Sequence, residues 1–259
     1  MNETRRTFLK YAGLSLAGLA ALPAANAAAA YIPHTVHEKP NPDALKAKRW
    51  GMVIDTRRLN TEADFKPLID ACHKTHNVPT IEGPQEVKWL WTDDMHAVFP
   101  EQHGEFQHKE IEHKNFLLLC NHCYNPPCVR VCPTKATFKL KSGITMMDMH
   151  RCIGCRYCMA ACPYGARSFN FKDPMPLIPE EDLNPAYPAR TRGVVEKCTF
   201  CNDRLEKGML PACVEASNGA LLFGDLSDPS SPVRKALKEN YSIVRKPNLG
   251  TQPSVYYII

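Results

Sequence analysis

The sequence predicts an α+β protein built from two small modules, one nested inside the other in chain order, and three observations carry that prediction. Eleven of the twelve cysteines fall in tight runs, at 120, 123, 128 and 132, at 152, 155, 158 and 162, and at 198, 201 and 213, with Cys72 alone upstream. Short apolar segments of strand character flank the runs, as at Thr137 to Leu140, Gly143 to Met147 and Ser168 to Phe171. Pro174, Pro176, Pro179, Pro185 and Pro188 then fill a connector, residues 173–193, that cannot be helix or sheet interior.

Composition bounds the rest. A chain of 259 residues, 44% hydrophobic and 23% charged, is long enough to bury a core and is neither disordered nor polytopic. The net charge of +5 comes without a polybasic block and with only 8% aromatics, so a nucleic-acid surface is not expected.

Residues 1–27 read as a twin-arginine (Tat) export signal. Thr4-Arg5-Arg6-Thr7-Phe8-Leu9-Lys10 leads an apolar run, and Ala25-Asn26-Ala27 suits a signal peptidase. Retention of the run as a membrane anchor is the alternative. Export by this route carries folded proteins, so a cofactor enters before the chain meets an oxidising periplasm.

Cys152-x2-Cys155-x2-Cys158-x3-Cys162-Pro163 is the bacterial ferredoxin run, in which three close thiolates grip one [4Fe-4S] cube and the fourth reaches a partner cube. Cys120-x2-Cys123-x4-Cys128-x3-Cys132-Pro133 is the same device with a longer loop. Structural zinc or a disulfide scaffold would explain the number of cysteines but not this spacing.

Internal repeats extend the pattern. Asp55-Thr56-Arg57-Arg58-Leu59 matches Asp148-Met149-His150-Arg151-Cys152, with Leu59 in the first ligand slot, and Asp70-Ala71-Cys72 matches Ala160-Ala161-Cys162. Cys72 is thus the surviving fourth ligand of a run that lost its first three. In the last run the expected fourth ligand is Ser217 or, counted back from Gly219, Ala216. If each run lends its fourth cysteine to a partner run, one pairing uses all twelve. Cluster 1 takes Cys72, Cys198, Cys201 and Cys213. Cluster 2 takes Cys120, Cys123, Cys128 and Cys162. Cluster 3 takes Cys132, Cys152, Cys155 and Cys158. The fourth site has lost all its ligands together.

The expected fold is therefore α+β, two bacterial-type (2×[4Fe-4S]) ferredoxin-like modules nested in sequence, one having lost a cluster. Residues 116–172 form the contiguous two-cluster module, and 48–80 plus 194–226 the discontinuous one-cluster module. Residues 82–115 read as a polar insertion whose His96, His103, His108 and His113 have surface or packing roles rather than chelating ones. Ser231 to Asn240 reads as a short capped helix within a C-terminal docking extension, 227–259. The apolar end, 254–259, is fit to dock on the core or on a neighbour. His122, Arg130, His150, Arg151, Arg156 and Lys197 stand beside ligands, as tuners of the clusters or as solvated loop charges.

These residues resemble a known family, the four-cluster ferredoxin subunits of periplasmic respiratory complexes such as polysulfide reductase and formate-dependent nitrite reduction systems. The resemblance rests on Met52-Val53-Ile54-Asp55, Cys120 to Pro133, Arg151-Cys152-Ile153-Gly154-Cys155, Lys197-Cys198-Thr199-Phe200-Cys201 and Phe223-Gly224-Asp225-Leu226. The departure from four clusters to three is similar to the Dsr-type branch, from sulfur-metabolising complexes of sulfate reducers and sulfur oxidisers. That likeness implies an electron-transfer subunit with no catalytic residues of its own. Its implied partners are a polytopic membrane quinone-reactive subunit (DsrP-like), a multihaem cytochrome c (DsrJ-like) and other Dsr complex subunits, with no molybdenum subunit at the erased site.

Overall fold

The computed structural model describes residues 41–102, 104, 109–188 and 190–259. The export-signal reading of residues 1–27, and His103 and His108, lie outside them. The described chain is a mixed α and β structure of short elements around cysteine-bearing loops. In chain order the strands are β1 (Trp50–Asp55), β2 (Leu90–Asp94), β3 (Asn115–Leu119), β4 (Thr137–Lys139), β5 (Thr145–Met147), β6 (Ser168–Phe169), β7 (Val195–Glu196), β8 (Leu221–Asp225), β9 (Ser242–Ile243) and β10 (Val255–Ile258). The helices used below are α1 (Glu62–His76), α2 (Pro127–Arg130), α3 (Tyr157–Ala160), α4 (Asn202–Leu205), α5 (Ala212–Glu215) and α6 (Pro232–Glu239).

The largest sheet has the order β8-β1-β10-β9. β1 runs antiparallel to β8, with Trp50 opposite Asp225 and Ile54 opposite Leu221, so segments some 170 residues apart pair directly. Helix α1 packs on α5. It starts at a capping box in which the Asp64 carboxylate accepts the Thr61 N–H at 2.8 Å, satisfying a donor the first turn leaves free. Ser231 caps α6 as its sequence predicts, accepting from the Arg234 N–H. The hairpin β4–β5 lies within residues 116–172, and β6 pairs with β7 to join that stretch to the segment holding Cys198.

Of the two places expected for the apolar end, the core and a neighbour, it takes the core and is no free docking arm: β10 lies parallel to β1 inside the sheet, and Val255, Tyr257 and Ile258 are buried. Its alternating apolar residues have both a sheet partner and core contacts within the chain, which satisfies them without a neighbour. The stretch 82–115 is likewise not merely polar. Its Trp89 is fully buried, and β2 pairs with β3 in the main core.

The proline-rich connector wraps the chain's own surface. Asn184 exchanges hydrogen bonds with Asn77, and Arg190 donates to the carbonyls of His76 and Asn77 at 2.6 Å each, closing the C-terminus of α1. Arg190 is itself paired with buried Glu196 at 2.8 Å, which also accepts from Trp89 Nε1 at 2.6 Å and from Asn170. Among the described residues no helix is long and apolar enough to cross a membrane.

Candidate functional site

All twelve cysteines are free thiols, with no disulfide among them. The loops that carry them share a backbone device. At the opening CxxC of each of the three cysteine runs the residue before the second cysteine is left-handed: His122 at φ 41°, Gly154 at φ 70° and Phe200 at φ 53°. Only glycine takes that conformation without strain, so its recurrence at His and Phe marks a shape the loop must hold. Such turns aim successive N–H groups inward, where they favour anionic sulfur. The Phe200 N–H donates to Cys198 Sγ at 3.4 Å, and the Thr137 N–H to Cys132 Sγ at 3.5 Å. At Gly154 a Cβ would meet the Gly193 carbonyl oxygen at 2.5 Å, so glycine is required there by space as well.

The thiols gather in groups. Burial pushes the Cys72 thiol well above its usual range, and Cys198, Cys213 and Cys201 beside it push it further. Cys123 is pushed up to about 12 by burial first and then by Cys120, with Cys128 and Cys162 adding to it. Those four thiols line one small cavity with Pro126, Pro163 and Arg167. Cys128 and Cys158 share an apolar cluster against which Cys132 and Cys152 pack, and Cys158 is raised by burial and also by Cys128 and Cys152. Cys132 departs in the other direction: burial works against its thiolate, but hydrogen bonds from Thr137, Thr134 and Ala136 outweigh it. Cys132, Cys152, Cys155 and Cys162 are half-buried, whereas the other eight are buried.

The groups also influence one another. Cys198 is held up at about 12 by burial and then by Cys120, which belongs to the next group, and both lie in the main core. Cys128 and Cys158, of the second group and the third, share one apolar cluster. Cys120 thus links the second group to the first, and Cys128 links it to the third.

A matched profile and whole-chain relatives give this arrangement its family. Residues 111–175 match the 4Fe-4S dicluster domain. The chain is 41% identical over 98% of its length to the Hdr-like menaquinol oxidoreductase iron-sulfur subunit 1 of Archaeoglobus fulgidus, covering 97% of that protein. It is 33% identical over its whole length to a tetrathionate reductase subunit of Salmonella typhimurium, covering 89% of it. It is 35% identical over 81% of its length to the menaquinone reductase iron-sulfur cluster-binding subunit of Nitratidesulfovibrio vulgaris, covering 88% of it. The chain belongs to this family of oxidoreductase iron-sulfur subunits.

The donor set of the iron-sulfur subunit fits its cofactor. The thiols converge in groups within low-dielectric surroundings, the donor chemistry that iron-sulfur clusters take. Thiols this strongly raised hold their protons when empty, so loading iron must displace those protons.

Of the six charged neighbours named from sequence, only His122 and Lys197 are buried. Lys197 Nζ donates to the Cys198 carbonyl at 2.7 Å and to that of Thr145. His122 stacks on Phe200 at 3.7 Å, accepts the Thr145 N–H at Nδ1, and is driven well below its ordinary range by burial and then by Lys197 and Arg167. Arg130, His150, Arg151 and Arg156 are exposed; Arg151 pairs with Asp148, and Arg156 lies over Phe169. Sequence reasoning missed Arg167, Glu196 and Arg190. For Arg167 a signal was available, its place five residues after Cys162.

Lys135 and Gly165, three residues after Cys132 and Cys162, are both left-handed, as are Asn218 and Gly219 in the last run. Counted back from Gly219, as Gly165 is from Cys162, the expected slot is Ala216. The Ser217 hydroxyl is spent on the backbone, donating to Val214 O at 2.7 Å and accepting from Leu221 N. Leu59 is buried in the core, and Arg58 donates to the Asn218 carbonyl at 2.7 Å.

Proposed function

We propose that this chain is the periplasmic electron-transfer subunit of a Dsr-type sulfur-metabolism complex, equivalent to DsrO, relaying electrons through three [4Fe-4S] clusters between a membrane quinone-reactive subunit and a cytochrome c. The observation that carries it is the grouping of the thiols, in which Cys120 shares the main core with Cys198, and Cys128 shares an apolar cluster with Cys158. Bound clusters supply one-electron transfer. The residues of the chain hold them in file, with Cys72, Cys198, Cys201 and Cys213 deepest and the loop of Cys152 and Cys155 nearest solvent. The assignment of Cys132 to the third cluster follows from the counting of ligands and from its packing beside Cys152.

Ligand pairing across segments 48–80 and 194–226 makes these one discontinuous module, and 116–172 the other. The pairing of β1 with β8 and of α1 with α5 supports this reading. A quinone-linked membrane partner is favoured by two relatives named for menaquinol and menaquinone reactions. Periplasmic location rests on the twin arginines of residues 1–27. Ile153, Tyr157 and Phe171, exposed around the outermost loop, give a partner an apolar surface to cover.

Anaerobically prepared protein should contain about 12 iron and about 12 labile sulfide. A stable content near about 16, or near about 8, would overturn the count. The likeness along the whole chain to the tetrathionate reductase protein favours a second reading, the iron-sulfur subunit of a polysulfide- or nitrite-reductase-type complex. Native purification separates the two. A polytopic quinone-reactive protein with a c-type cytochrome supports the first, and a molybdenum subunit without cytochrome supports the second.

A further inference from the structure

Arg167 is 5% exposed, and among the described residues no carboxylate pairs with it. Its Nη1 donates to the Thr137 hydroxyl at 3.1 Å and lies against Met147 Sδ, both neutral, while Nη2 is buried with no hydrogen-bond partner. Of the other two buried arginines, Arg190 has Glu196 at 2.8 Å, and Arg245 lies over the Tyr164 ring and donates to the Val98 carbonyl. A buried guanidinium is costly without a partner for its charge, and Arg167, with neither a carboxylate nor a ring against it among the described residues, calls for an anion.

The surroundings identify that anion. Arg167 lines the cavity of Cys120, Cys123, Cys128 and Cys162, and its β4–β5 partners Thr137 and Met147 belong to the hairpin beside Cys132. Burial works against its charge, yet Cys128, Cys158 and Cys120 hold the charge in place. Cys128 and Cys120 belong to the second group of thiols and Cys158 to the third. Through the cavity Arg167 meets the second group, and through Thr137, whose N–H donates to Cys132 Sγ, it is joined to the third.

We infer that Arg167 is the shared counter-cation of the second and third clusters, placed between them to raise the reduction potentials of both. This rests on the three-cluster reading above. A fixed positive charge in a low-dielectric site favours the more negative, reduced form of each neighbouring cluster. Cluster 1, bound by Cys72, Cys198, Cys201 and Cys213, has Lys197 for a neighbour instead and should not respond.

The test is a redox titration followed by EPR on the full-length holoprotein, wild type first. If the wild type holds fewer than three clusters, the three-cluster reading fails independently of Arg167. With three present, Arg167→Gln is expected to lower the potentials of two clusters by at least a tenfold change in reduction equilibrium, about 59 mV for one electron. The cluster of Cys72, Cys198, Cys201 and Cys213 should keep its potential. Arg167→Lys should hold both near the wild-type values. Unchanged potentials in Arg167→Gln, an equal shift of all three, or an equal fall in Arg167→Lys would overturn the inference. Should Arg167→Gln fail to load, iron analysis decides. Loss of about two-thirds of the iron in Arg167→Gln with full loading in Arg167→Lys supports a role for the charge, and loss in both variants rejects it.

Discussion

Under the proposed two-module reading, the contiguous stretch 116–172 and the split pair 48–80 with 194–226 differ in what occupies the ligand slots. In the contiguous stretch every slot keeps its thiol, and the buried Arg167 lines the cavity of four of them. In the split pair the residues at the slots of the proposed lost site serve the fold: Leu59 lies in the core, the Ser217 hydroxyl bonds the backbone, and Arg58 donates to the Asn218 carbonyl. Gly219 is left-handed there, as are Lys135 and Gly165. On that reading strand and helix packing holds the frame where the ligands have gone together.

The largest effect that would break this comparison is removal of residues 255–259. Because β10 sits between β1 and β9, the deletion should abolish the soluble folded chain, measured by circular dichroism and gel filtration. A folded, fully loaded truncation would mean that β10 is dispensable to the split half.

Next in size is Cys72→Ala, expected to remove about 4 of about 12 irons and only the EPR signal assigned to the ligands Cys198, Cys201 and Cys213. Loss of the cluster of Cys152, Cys155 and Cys158 instead would show that the halves pair differently.

Glu196→Ala probes the seam. It strands Arg190 as an uncompensated buried charge and leaves Trp89 Nε1 without its acceptor, so chemical denaturation of the holoprotein should show about 3–5 kcal/mol of destabilisation. A cost near zero would mean that water reaches the pair.

Gly154→Ala should act on the contiguous half alone. It forces a Cβ into the Gly193 carbonyl and a positive φ onto alanine, costing about 1–3 kcal/mol and depleting the third cluster while the first stays intact by EPR.

Smallest is Ser217→Ala, expected to cost about 1 kcal/mol through its two backbone hydrogen bonds, with iron content unchanged. A fall in iron would make Ser217 a ligand and undo the assignment of the empty slot to Ala216.

Much of this was readable from residue order alone. The CxxC runs are local objects whose spacing fixes which thiols reach one metal group, and the strands at Thr137–Lys139, Thr145–Met147 and Ser168–Phe169 fall inside the apolar segments flanking them. The capped helix Pro232–Glu239 follows from Ser231 and Pro232, because capping is settled within one turn. The match of Cys72 to Cys162 is repeat arithmetic, and in the fold Cys72 is buried in the same core as Cys198 and Cys213.

Other features depended on partners far away in the chain. An apolar tail reads the same whether it meets a neighbour or its own sheet, and only the parallel pairing of Val255 with Met52 decided for the sheet. Trp89 in a polar stretch gave no sign of Glu196, 107 residues later, with which it shares a buried hydrogen bond. Arg167 drew no reading from residue order; its meaning lies in Thr137 and in Cys120, Cys123, Cys128 and Cys162, with which it lines one cavity. Metal-ligand spacing is a property of a few consecutive residues, whereas the energy of a buried charge depends on whatever folding brings beside it, and that is where order along the chain stopped being informative.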